Sequence, residues 1–239
     1  MNQHKTLRPA WRDLLAFVIY YISAMVFSSI IYSIHPIMFN YNIEHPKVFL
    51  LTSVCMSLSV TAFLMWSHRK HLKTKIFQRL RELQSQMKLV LFAYILYVVV
   101  SIVMSITFKL LPKSWQFDTT VNQKGIVELF QDKAWLPLVF IVLVILVPIT
   151  EELLFRHVII GELGKKFGVW VMGSISVVTF AMLHVTNAQS PLEVIPYLVM
   201  AALFVIMYIR TNCNIAVSIF LHMLVNAVSF VGVIVQSLA

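Results

Sequence analysis

Residues 135–160 read WLPLVFIVLVILVPITEELLFRHVII. A long uncharged run leads into two adjacent acids, Glu151 and Glu152, and Arg156 follows one turn on. The run is long enough to cross a hydrocarbon core, which takes roughly 20 apolar residues as a helix. Its apolar residues are continuous rather than alternating, and isolated strands cannot satisfy their backbone in lipid, so a membrane helix is the reading. A carboxylate near the centre of such a helix costs about 2.5–3.5 kcal/mol to insert, so both acids are functional candidates. Glu152 and Arg156 are four apart and share a face. An ion pair between them would lower the cost of burying both. Pro148, just ahead of the acids, removes one backbone donor and frees the carbonyl of Val144, which loosens the helix where a cavity would help.

The rest of the chain agrees that lipid is the solvent. Apolar residues make up 59% of the 239 and charged residues 12%, with a mean hydropathy of +0.84. A soluble domain carries about a quarter charged residues, so this chain cannot cover a water-soluble globule. Seven apolar stretches are long enough to span, at 13–34, 48–67, 89–111, 135–160, 169–188, 192–209 and 214–236. The fold class is therefore all-α, a polytopic membrane bundle of about seven transmembrane helices around an intramembrane cavity. The whole chain, 1–239, reads as a single integral membrane domain. Its first part, 1–134, holds the N-terminal spans and a basic segment at 68–88. The first run, from Leu14 to about Ile34, is longer than a signal-peptide core and reads as a retained span.

The net charge of +9 does not point to nucleic acid, because the bases cluster between apolar runs as membrane topology requires. Lys5, Arg8 and Arg12 precede span one. Arg69, Lys70, Lys73, Lys75, Arg79, Arg81 and Lys88 follow span two, against one acid, Glu82. Lys165 with Lys166, and Arg210, mark the same side further on. The opposite loops are balanced, as in Lys113, Asp118, Lys124, Glu128, Asp132 and Lys133. This places the N-terminus in the cytoplasm and the C-terminus outside in a multi-pass cell-membrane protein. Ile76, Phe77, Leu80, Leu83 and Met87 share one face of the basic segment. That fits either a helix lying on the anionic inner leaflet or a cytoplasmic extension of span three. Trp115 and Trp135 suit the outer interface. Cys55 and Cys213 show neither disulfide nor metal spacing.

Two later spans carry polar groups at helical spacing. Span five ends VVTFAMLHVTN, with Phe180 and His184 four apart, and span seven contains FLHMLVNAVSF, with His222 and Asn226 four apart. With a hairpin tip near Phe167, Glu151 and His184 lie at similar distances from the tip, and hence at one depth. The Gly164–Gly168 pair falls among lysines and reads as a turn. Gly173, Ser174 and Ser176 read as small residues that let helices approach.

Taken in order, Glu151-Glu152-x-x-x-Arg156, Phe180-x-x-x-His184 and His222-x-x-x-Asn226 resemble the three motifs of the CAAX-protease and bacteriocin-processing family, also called the Abi family. The resemblance covers roughly 135–230, the expected catalytic core; the first three spans match it only in kind. It implies an intramembrane endopeptidase acting on membrane-associated peptides or proteins. Carried over, Glu151 and His184 hold a water, Glu152 and Arg156 support them, and His222 with Asn226 polarise the attacked carbonyl.

The chemistry can be argued without the resemblance. Peptide hydrolysis needs a base, and a carboxylate in apolar surroundings is a better one than in water. It also needs donors aimed at the developing oxyanion, which an imidazole and an amide can supply. No serine or cysteine has an evident partner for covalent catalysis. The expectation is no cofactor, with zinc held by Glu151, His184 and His222 as the runner-up. A non-enzymatic scaffold or immunity protein on the same fold is the first alternative. A proton-coupled transporter, disfavoured because no inverted repeat is visible, is the second.

Overall fold

The computed structural model describes residues 8–39, 43–70, 72–113, 115–117 and 119–238. Lys5 and Asp118 of the charge pattern lie outside the described residues. The chain is a bundle of helices, with no strand among the described residues. A short 3₁₀ turn, Trp11–Leu14, leads into α1 (Leu15–Phe39), and α2 is His45–Ser67. Helix α3 runs from Leu72 to Lys109, and a short α4 (Val121–Glu128) follows. Helix α5 is continuous over Lys133–Phe167. Helices α6 (Val169–Leu183), α7 (Val194–Arg210, entered by the 3₁₀ turn Pro191–Glu193) and α8 (Ile215–Leu238) complete the bundle.

Among the described residues, six helices are long and apolar enough to cross a membrane. The fifth expected span, 169–188, is shorter than expected: α6 stops at Leu183. The residues that follow, from His184 to Ser190, include Thr186, Asn187 and Ser190, which favour turns over helix. Ser190 and Glu193 then start the next element as a capping box. The basic segment is settled as well. It is not a separate surface helix, because α3 is unbroken for 38 residues and the segment is its first half. The linker before α5, read as loop, contains α4, whose N-cap Thr120 accepts from the Gln123 amide at 3.1 Å.

Helix α5 is the axis of the bundle and packs against α2, α6 and α8. Its Leu154, Phe155, Val158 and Ile159 form a core with Ala16, Val60, Leu64, Met172, Phe180 and Ala201. A second core joins α3 through Val90 and Ala93 to Phe204 and Met207 of α7 and Val217, Leu221 and Val225 of α8. In lipid such contacts hold by close packing rather than by water exclusion. Close approach explains Gly173, where an added Cβ would lie 3.0 Å from Val205 of α7. Ser176 is buried beside it, whereas Ser174, expected in the same contact, faces outward. The turn between α5 and α6 is made by Gly168 at φ +92°, a conformation suited to glycine. Helices α1 and α3 are only 6% and 11% buried over their apolar windows, so their outer faces are the lipid-facing surface.

Candidate active site

Backbone register comes first, because it sets where the acids point. Helix α5 is not α-helical throughout: Ile141–Leu146 and Leu153–Leu163 take the wider π register, with the turn carrying Glu151 and Glu152 between them. Such bulges recur at functional sites because they re-aim side chains. The expectation that Pro148 frees the carbonyl of Val144 is corrected. In an i→i+5 register the carbonyl facing the Pro148 nitrogen, which has no N–H, is that of Leu143. That carbonyl accepts a hydrogen bond from Asn226 Nδ2 at 2.8 Å. In the second wide stretch, the carbonyl of Phe155 accepts from Ser176 Oγ at 3.0 Å. Both oxygens thus find partners on neighbouring helices.

The candidate residues converge from three helices. Glu151 Oε1 lies 3.8 Å from His184 Nε2, and its other oxygen lies 3.7 Å from His222 Nε2. His222 Nδ1 donates to Glu152 Oε1 at 2.9 Å. Glu152 Oε2 lies 3.1 Å from Arg156 Nε, out of line for a hydrogen bond. The Arg156 guanidinium sits between the rings of Phe180 and Phe204, 4.8 and 5.4 Å from their centroids, where the π faces stabilise its charge. Its Nη2 also approaches the carbonyl of Ala201 at 3.5 Å. Glu151 and His184 keep 16% and 19% of their side-chain surface exposed, whereas Glu152 and Arg156 keep none. So Glu151 and His184 face open space, His222 is almost covered at 3%, and Glu152 with Arg156 stands behind them.

Both imidazoles are oriented from the rear. His184 Nδ1 is 2.9 Å from the carbonyl of Phe180. A carbonyl can only accept, so Nδ1 carries the proton, and in the neutral ring Nε2 presents a lone pair to Glu151. The Glu152 carboxylate likewise holds a proton on Nδ1 of His222. The rings are also clamped by stacking: His184 between Phe180 and Tyr197, at 4.5 and 4.9 Å, and His222 on Phe204 at 4.5 Å.

A cavity of about 680 Å³ opens in front of these groups. Glu151, His184, His222 and Asn226 line it, together with Tyr94 and Tyr97 of α3. A second cavity of about 370 Å³ lies under α4 and reaches His184 from the other side. The two meet at Phe49, Asn122, Ile126 and His184.

Some contributors were not read from the sequence. Tyr197 stacks on His184, shares a hydrogen bond with Thr120 Oγ1 at 2.7 Å and accepts from Asn122 Nδ2 at 3.3 Å, linking the histidine to α4. Glu193, buried at the start of α7, accepts from the amides of Val121, Gln189 and Ser190 and fixes the same region. An aromatic in an apolar span carries no signal of its partner, but the acid at 193 did stand at the edge of a span.

Comparison with known proteins adds an independent line. Residues 133–228 match the type II CAAX prenyl endopeptidase Rce1-like family. The chain is also 35% identical over 105 residues to the putative membrane peptidase YdiL of Bacillus subtilis (strain 168), a match covering 44% of this chain and 40% of that protein. The chain thus matches less than half the length of that relative. No solved structure matches the chain.

Proposed function

We propose, from the membership of residues 133–228 in the CAAX-protease and bacteriocin-processing family, that this chain is an intramembrane endopeptidase of the glutamate/histidine type. It hydrolyses peptide bonds of membrane-associated peptides or proteins. The observation that carries the reading is Glu151 bridging the Nε2 atoms of His184 and His222 at the wall of an apolar cavity. A water set between Glu151 and His184 has an acceptor for each of its protons. Glu151 takes one proton as the water oxygen attacks the carbonyl carbon. The C–N bond then breaks, and that proton passes to the leaving amine. His222 with a proton on Nε2 donates to the oxyanion, its positive charge balanced by Glu152 at 2.9 Å. Asn226 spends one amide N–H on Leu143 and has a second to offer. Residues 135–230 are the catalytic core within a single membrane domain, 1–239.

A zinc-dependent reaction is the second reading, favoured by the rear anchoring of both imidazoles, a usual feature of metal-bound histidine. Glu151 meets the two imidazoles through different oxygens, Oε1 toward His184 and Oε2 toward His222, and chelation decides between the two readings.

The test is turnover of a membrane peptide by reconstituted variants, normalised to protein amount. Glu151→Gln should accumulate normally, since a charge has left the membrane, and should lose cleavage by roughly 10²–10⁴-fold. His184→Ala should match it, and the double variant should be scarcely worse than either single. Activity should survive exhaustive chelation. Abundant, fully active Glu151→Gln protein refutes the glutamate mechanism, and zinc that is held by His184 and His222 and whose removal abolishes turnover refutes the metal-free one.

A further inference from the structure

Further along α5, outside the lining of either cavity, a second constellation joins three elements. Asp13 lies on the 3₁₀ turn ahead of α1, His68 at the C-cap of α2, and His157 in the second wide stretch of α5. Asp13 Oδ2 is 2.6 Å from His68 Nε2 and 3.2 Å from His157 Nε2. The two rings meet edge to face at 5.1 Å. Asp13 Oδ1 accepts from Ser67 Oγ at 2.9 Å, which leaves Oδ2 as the oxygen presented to both imidazoles. One ligand atom from each residue can be chosen so that all lie within 4.8 Å of one another.

We propose that Asp13, His68 and His157 bind a divalent transition-metal cation of the zinc class, at a site separate from the catalytic groups. Two imidazole nitrogens and one carboxylate oxygen are a borderline donor set that suits zinc, cobalt or nickel and does not suit calcium or magnesium. The carboxylate is wholly buried and both imidazoles are a quarter exposed. The anion is thus held in place while one side stays open to the cation and to a water as fourth ligand. Ser67 supplies the outer hydrogen bond that orients a ligating carboxylate. Without a cation, Oδ2 accepts from both Nε2–H groups. On binding, each neutral imidazole turns its Nε2 lone pair to the metal and carries its proton on Nδ1, so no proton is lost or gained. Arg12 opposes the cation. Its Nε lies 3.9 Å from Oδ1, but the side chain is 60% exposed and its Nη2 is engaged by the carbonyl of Ser67 at 2.5 Å. Asp13 is a buried acid at the start of a span, next to the basic Arg12 of the charge pattern. His157 directly follows Arg156 in sequence. A bound cation therefore clamps the first two helices onto the helix that carries Glu151 and Glu152.

The experiment titrates cobalt(II) into the purified, chelator-treated full chain in detergent and follows the d–d absorption of the bound ion. One equivalent should bind, be displaced by zinc(II), and bind equally to the His184→Ala/His222→Ala variant, which removes the catalytic imidazoles. His68→Gln and His157→Gln should each weaken binding by at least about 10-fold while keeping the size-exclusion profile of the parent. X-ray absorption of the zinc-loaded His184→Ala/His222→Ala protein should show two imidazole ligands, a readout that does not depend on the folding of the His68 or His157 variants. Absence of cobalt binding, loss of it with His184 and His222, or fewer than two imidazoles on the zinc overturns the proposal.

Discussion

Arg156 shows most directly how a single side chain sets limits on this site. It is fully buried, its charge is met by Glu152, and its Nε and Nη1 lack hydrogen-bond partners. Removing one partner of a buried pair typically costs about 3–5 kcal/mol, because the other charge is left uncompensated. Arg156→Met should therefore destabilise the protein by that order, read as a fall in unfolding temperature in detergent. Adding Glu152→Gln should recover most of the loss, since the orphaned charge goes with it. Equal stability of Arg156→Met and the parent would mean that the pair carries no such energy. The charged members of the site were legible in the sequence because lipid makes a charge expensive, so Glu151, Glu152 and Arg156 stood out in an apolar run. Tyr197 and Phe204 were not, since aromatics are everywhere in this chain and only folding decides which of them meets a histidine.

Among the elements, α5 carries the information that hydropathy cannot. Ile141–Leu146 is uniformly apolar, so nothing in its composition separates an i→i+4 from an i→i+5 ladder; Pro148 was the one clue, and it pointed to the carbonyl next to the one that Asn226 caps. An interhelical hydrogen bond of this kind is worth about 0.6–1.7 kcal/mol in a membrane bundle. Asn226→Leu should cost about that much stability. In a Pro148→Ala background an amide N–H becomes available to this turn, and the cost of Asn226→Leu should shrink. A double-mutant cycle by thermal unfolding measures the difference, and strict additivity would separate the proline from the Asn226 contact. The same limit applies to α3. Its apolar stripe at Ile76, Phe77 and Leu80 suits a surface helix and a helix extension equally, and only the unbroken backbone decides between them.

For the whole molecule, the short α6 is the informative departure. Fifteen residues reach about 22 Å, less than the roughly 30 Å of a hydrocarbon core. If α6 starts at one face of the membrane, the segment that follows it lies within the membrane's depth, where irregular backbone is tolerated only against protein or a wet cavity. His184 begins that segment, and the smaller cavity flanks it. The base distribution predicts that α6 and α7 carry the chain out and back. Reporters fused near Lys165 and at the C-terminus should accordingly report opposite faces, the first cytoplasmic. Reporters on one face would require an extra or a missing crossing.

The proposed hydrolysis would consume one water for every bond cut, and a peptide filling the larger cavity would stopper that approach with its own apolar bulk. The placement of His184 at the junction of two cavities answers this supply problem: the smaller one, roofed by α4 and hinged to the histidine through Tyr197 and Thr120, can act as a separate inlet. Substrate and solvent would then arrive by different doors. Narrowing the small one, as with Gly125→Trp on α4 where that helix lines it, should slow turnover while leaving the affinity for peptide almost untouched.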